Sequence, residues 1–195
     1  MTQPGILSLI QDVGRFGQHN IGLTTGGPLD PEAFNWCNRL LQNKPNSSTL
    51  EVSFGGLHLQ ADIDTFICVT GADMPLRINH REQPLWTVLR VHSGDNIELG
   101  YSQSGCRSYL GVANGFDISQ SFGSSATVMR ENIGGLQGDK IHTGDSLPCA
   151  SVTSRRILFL PPAMQPKYHN GITLRVMPGY QDNQFSRLQQ RRFFS

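Results

Sequence analysis

The sequence has no surplus of charge of either sign: 16% of its residues are charged, with 16 Lys+Arg against 15 Asp+Glu. A chain so balanced has no excess cations to neutralise a phosphate backbone or an anionic membrane surface, so neither nucleic acid nor membrane is an expected partner. No apolar run approaches the ~20 residues that a helical membrane span needs. The start of the chain has no basic segment followed by an apolar core, so a soluble, cytoplasmic protein is expected. Only four cysteines are present, Cys37, Cys68, Cys106 and Cys149. They form neither a CxxC pair nor a zinc-type spacing with histidine, which points to reduced buried thiols. The histidines His19, His58, His80, His92, His142 and His169 show no paired ligand spacing, and no metal is expected. Also missing are the GxxxxGK[ST] phosphate loop, the GxGxxG turn, the GxSxG elbow and the HExxH helix. Any ATP that the chemistry uses would therefore be held on another chain.

What is present is a chain of 195 residues, 37% hydrophobic, which can bury one substantial core. Its 21 Gly and 11 Pro are spread along the length, as suits many short strands joined by tight turns. Apolar or alternating runs predict strands over 50–54, 57–60, 66–70, 76–79, 89–92, 96–99, 108–113, 157–160 and 174–177. This is the rhythm of a mainly-β barrel or sandwich. Ser93-Gly94-Asp95 recurs in kind as Thr143-Gly144-Asp145, which predicts two similar β-turns. One or two short helices are expected, and one stands out, capped by Asp30, opened by Pro31, and ended by Asn43 and Pro45. Phe34, Cys37, Leu40 and Leu41 share one of its faces, and that stripe is expected to plug the open end of a barrel.

Three stretches are candidates for chemistry. The first runs from Gln11-Asp12-Val13-Gly14-Arg15 to Gly26-Gly27-Pro28-Leu29-Asp30. Arg15 offers a planar fork for a carboxylate or phosphate, and the glycines let backbone N–H groups approach a ligand. The competing reading is that Asp12 and Arg15 pair to brace the loop. In the second stretch Arg107 and Tyr109 alternate on a strand and so share a face. Ser124, Ser125 and Thr127 follow; they suit either hydrogen bonding to a carbonyl or carboxylate, or ordinary turn chemistry. The third, from Asn132 through Gly134-Gly135 to Gly138, reads as a mobile loop. The expectation is that the amino-terminal glycine loop and the Arg107 strand converge on one cavity at a barrel mouth.

In order, Gln11-Asp12-x-Gly14-Arg15-x-Gly17, Gly27-x-x-Asp30, Leu50-Glu51, Thr70-Gly71-Ala72, Trp86, Gly94, Gly105-x-Arg107-x-Tyr109-Leu110, Gly123-Ser124 and Ile133-Gly134-Gly135-Leu136 run through nearly the whole chain. This combination resembles the 5-oxoprolinase C-subunit family, also called allophanate hydrolase subunit 2 or the KipA family. The resemblance implies two cyclophilin-like β-barrels, with residues 1–165 forming the first and 166–195 a linker and the opening strand of the second. It implies a protein that acts with the A- and B-subunits of 5-oxoprolinase in the ATP-dependent opening of 5-oxoproline, a cyclic amide, to L-glutamate. That is a hydrolase reaction at an amide C–N bond, with ATP bound on a partner subunit, no cofactor on this chain, and the isolated chain inactive. The expected substrate-binding residues are Gln11, Asp12, Arg15, Gly26, Gly27, Arg107, Tyr109, Ser124, Ser125 and Thr127, with no assignable catalytic residue. The family names leave two alternatives: a regulatory protein that antagonises a kinase inhibitor, and a biotin-dependent carboxyltransferase domain for urea-like substrates. Val112-Ala113-Asn114-Gly115 and Ser124-Ser125-Ala126-Thr127 depart from the family's Val-x-Gly-Gly and Ser-x-Ser-Thr patterns, and the second leaves Ser124 and Thr127 the firmer candidates.

Overall fold

A computed structural model describes residues 1–169, 171 and 173–194. Ten strands form two antiparallel five-stranded sheets. One has the order β1 (Gln3–Pro4), β4 (Leu57–Gln60), β9 (Asn96–Leu99), β6 (Leu76–Ile78), β7 (Arg81–Gln83). The other has the order β2 (Leu7–Gln11), β3 (Thr49–Ser53), β10 (Ser104–Val112), β5 (Thr65–Asp73), β8 (Val88–Val91). The chain is mainly β and barrel-like, as its run of short apolar segments predicts.

The period-2 alternation of β5 explains why there are two cores. Ile67 and Val69 face the first sheet and pack with Leu57, Leu76, Ile97, Leu99 and Leu110. Phe66 and Cys68 face the other way and pack beneath the helix α1 (Pro31–Leu40). Asp30 caps α1 by accepting from the Ala33 amide at 3.0 Å, and Pro31 fills the position where a missing N–H costs nothing. Ala33, Phe34, Cys37 and Leu40 form the buried stripe. Each large apolar side chain so placed contributes about 1.5–3 kcal/mol. Gly111 is the seat of this contact, since a Cβ there would come within 2.7 Å of Cys37 Sγ. The helix therefore covers the outer face of the second sheet and does not plug a barrel end. With both faces of β5 and β10 apolar, the sheet itself needs a cover.

The two Gly-Asp turns are near copies. His92 and His142 amides donate to the Asp95 and Asp145 carboxylates at 2.7 and 2.8 Å, and Gly94 and Gly144 both have φ +93°. Two expectations fail. Residues 157–160 run beside residues 86–88, with one bridge at Phe159, but make no strand. Residues 174–177 are exposed and pair with no strand among the described residues; an extended segment needs a neighbour to satisfy its ladder. The polar stretch after Gln181 holds a second helix, α2 (Arg187–Phe194), with no buried residue.

Candidate functional site

Asp12 follows the last residue of β2 and is completely buried. Its Oδ1 accepts from the Gly14 amide at 2.8 Å and Ser124 Oγ at 2.6 Å. Its Oδ2 accepts from the amide and hydroxyl of Ser125 at 2.7 and 3.0 Å. These bonds satisfy the carboxylate, and Arg15 is not among its partners, so the bracing Asp12–Arg15 pair does not form. Ser124 and Ser125 are spent on Asp12, which makes them a brace between distant segments. Gln11 does similar work. Its Oε1 accepts from Gly27 N at 3.1 Å and its Nε2 donates to Thr127 O at 3.2 Å, tying the glycine loop to the 124–127 turn.

The turn so held encloses Arg15, which is 1% exposed. Arg15 Nη2 donates to the Ala126 carbonyl, while Nε and Nη1 are buried without a partner among the described residues, as is the nearby turn's Thr127 Oγ1. Gly26 and Gly134 close over the guanidinium. A Cβ on Gly26 would sit 3.4 Å from Nη1, and one on Gly134 would sit 3.0 Å from Nη2 and 2.0 Å from Ala126 O. A buried cation ordinarily has a carboxylate beside it, because desolvating an unpaired charge costs several kcal/mol. Here the guanidinium meets a carbonyl, two glycine turns and unfilled donor capacity. Chemically, that is a fork able to take a carboxylate or phosphate. Gly134, which the sequence placed only in a loop, thus packs directly against the Arg15 guanidinium. Outside the Gly26-Gly27 turn lies an open hollow lined by residues from His19 to Gly27. Glu131 ties that loop down, accepting from Thr24 N and Thr24 Oγ1. The Thr24 hydroxyl first, and then Arg130, hold the Glu131 carboxyl below its ordinary 4.5.

Arg107 and Tyr109 do share a face, but in a second cluster beneath the α1 N-terminus. Tyr109 stands opposite Glu51 in the β10–β3 register, and its hydroxyl donates to Glu51 Oε2 at 2.7 Å. The same hydroxyl accepts from Asp30 N at 2.8 Å, and Leu29 N donates to Glu51 Oε2 at 2.9 Å. Arg107 Nε lies 3.6 Å from Glu51 Oε1. Burial first, and then the Glu51 carboxylate, push the Tyr109 phenol far above its ordinary value, so it stays a neutral donor. Tyr168 adds a bond to Asp30 Oδ2 at 2.6 Å. Among the described residues Arg15 and Arg107 share no hydrogen-bond or ion-pair partner; they sit in two clusters linked through the 26–30 segment, and neither lines the hollow beside Gly26-Gly27. Glu51 was legible as a carboxylate inside an apolar strand, which must find a partner. Tyr168 gave no local signal.

The model of the carboxyltransferase domain, subdomain A and B, matches residues 21–195. The C-subunit of 5-oxoprolinase from Escherichia coli strain K12 is 32% identical over 196 residues, covering 100% of this chain and 62% of that protein. The urea amidolyase of Saccharomyces cerevisiae is 33% identical over 148 residues, 75% of this chain and 8% of that protein. Among solved structures, that of TTHA0988 superposes with a TM-score of 0.80 at 28% identity, over 92% of this chain and 65% of that one. The Kluyveromyces lactis urea amidolyase superposes with a TM-score of 0.78 at 28% identity, over 86% of this chain and 11% of that one. The chain thus spans less than two thirds of the length of these relatives. Its match over residues 21–195 and its shared fold place the chain in the carboxyltransferase domain, subdomain A and B, family.

Proposed function

We propose that this chain works as one component of an ATP-dependent multi-subunit complex that opens 5-oxoproline to L-glutamate, and that Arg15 receives the substrate carboxylate. The buried Arg15 guanidinium, with no acidic partner among the described residues and two donor nitrogens unfilled, is the observation that carries this reading. 5-Oxoproline brings the missing anion on the carbon next to its ring nitrogen. Its lactam is resonance-stabilised and a poor electrophile. ATP on a partner subunit would phosphorylate the lactam oxygen, so that water adding to the activated carbon expels the ring nitrogen as an amine, and a second water releases phosphate from the acyl phosphate that remains. The share of this chain is to fix the carboxylate so that the lactam carbonyl is held in one orientation while water adds and the ring C–N bond breaks. Because Arg15 is enclosed, the Gly26-Gly27 and Gly134-Gly135 turns must part to admit substrate, and glycine at both places permits that motion. Tyr109 and Glu51 set the far end of the first turn by holding the Asp30 and Leu29 amides. We further propose that residues 1–165 form one barrel and that 166–195 lead into a second, a reading supported by the greater length of the relatives.

The likeness to urea amidolyase supports a second reading, carboxyl transfer to a urea-like substrate with biotin carried on another chain. Arg15 would then hold the transferred carboxylate. Co-expression with the A- and B-subunits of 5-oxoprolinase separates the two. The first reading predicts ATP-dependent glutamate release from 5-oxoproline that falls at least about a hundredfold with Arg15→Met. Biotin- and urea-dependent ATP consumption without glutamate release would overturn it.

A further inference from the structure

We infer that the cavity between the two sheets beside Met1 is a binding site for a small primary amine with a compact apolar body. The cavity measures about 190 Å³. It shares no residue with the clusters around Arg15 and Glu51. Protein interiors are packed to crystal-like density, and a void of this size forfeits dispersion contacts and cannot close without moving strands. Its walls are core side chains, among them Ile67, Val91, Ile97, Leu110 and Val112. Apolar cavities of about 150 Å³ accept a benzene-sized molecule, so the apolar part of the ligand has about six to seven non-hydrogen atoms.

The side-chain charge of its lining is negative. Asp62 lines the cavity at its solvent-exposed mouth, and its carboxylate meets water and no donor among the described residues. Asp145 adds a second carboxylate, engaged by the His142 amide. The one cation there, the Met1 ammonium, donates to the Asp145 carbonyl at 2.8 Å. Gln60 and Thr65, also in the wall, are committed to the Gly94 and Ala150 carbonyls. Burial first, and Asp62 second, push the Cys149 thiol up, so it adds no charge. Two carboxylates against one ammonium, with Asp62 facing solvent at the opening, favour a cationic donor at the mouth of a mainly apolar chamber. The 143–149 strap closes the chamber through Gly144 N to Met1 O at 2.9 Å and Asp117 N to Pro148 O at 2.8 Å.

The test is a methyl-resolved NMR titration of the full chain with benzylamine, toluene and benzoate. Saturable benzylamine shifts at Ile97, Val112 and Leu147, at least about tenfold tighter than toluene, are expected, with benzoate weakest. Asp62→Asn should remove about tenfold from benzylamine affinity and leave toluene within about twofold. Equal affinities for amine and hydrocarbon, shifts located elsewhere, or no saturable shift would overturn the inference. If Asp62→Asn does not fold, the three-probe comparison on the unaltered chain decides by itself.

Discussion

Replacing Arg15 with methionine separates an anion-binding arginine from a structural one, because the two roles predict opposite signs. Arg15 is 1% exposed, and its side chain makes one hydrogen bond among the described residues, to Ala126 O. Taking an unpaired cation out of water costs several kcal/mol, and one charge-assisted bond returns about 1.5–3 kcal/mol of it. Methionine keeps much of the volume without the charge; it leaves the Ala126 carbonyl unsatisfied, at about 1–3 kcal/mol. The balance favours the variant by about 1–3 kcal/mol. At about 2–4 °C per kcal/mol for a chain of this size, the melting temperature should rise by roughly 2–12 °C. Scanning calorimetry of the unliganded protein reads this directly. The same scans with 5-oxoproline should raise the midpoint of the unaltered protein and leave that of Arg15→Met unmoved, since only a state that binds ligand gains from it. A variant that melts several degrees lower and still responds to 5-oxoproline would refute the reasoning, because Arg15 would then be a brace.

Asp12→Asn turns one acceptor oxygen into a donor facing donors from Gly14 and Ser124 or from Ser125; a loss of about 3–5 kcal/mol is expected in urea unfolding, and a change below about 1 kcal/mol would remove Asp12 from the scaffold. Gly134→Ala places a Cβ against Ala126 O at a backbone φ of +74°, so it should destabilise by about 2–4 kcal/mol and abolish the 5-oxoproline-dependent rise in melting temperature. Tyr109→Phe removes the hydroxyl that links Glu51 to the Asp30 amide and should cost about 1–3 kcal/mol by denaturant titration, with the loss falling below about 0.5 kcal/mol only if water replaces it. Glu131 has its carboxyl pulled below the ordinary 4.5, so its hold on Thr24 is fully present above that value and is lost as pH falls through the lower, folded-state value. The Thr24 amide resonance should therefore titrate with a midpoint below 4.5, and a midpoint above it would mean that the contact is absent in solution.

Elements whose local chemistry and tertiary role agree were legible from the sequence. Asp30-Pro31 with its apolar stripe marks α1, and alternating apolar residues mark most strands from β3 to β10. Edge strand β7 is Arg81–Gln83, all polar, and carries no such pattern. β2 was hidden because its last residue, Gln11, opens a loop-like glycine run. At the site, sequence picked out Asp12, Arg15, Arg107 and Tyr109 yet could not sort them. Asp12 finds its serines more than a hundred residues downstream, and Tyr109 finds Glu51 on another strand. Partners that sheet register brings together leave no mark in local spacing. The absence of a counter-charge at Arg15 among the described residues depends on Asp12 being satisfied elsewhere, which only the folded chain reveals.

Titration of ¹⁵N-arginine-labelled protein, followed at the Arg15 Nε–H, tests the carboxylate site most directly when 5-oxoproline is compared with 2-pyrrolidinone, the same lactam without its carboxylate. A carboxylate-receiving Arg15 gives a saturable shift with 5-oxoproline and none with 2-pyrrolidinone. Equal responses to both compounds, or a response at Arg107 with Arg15 silent, would contradict that role.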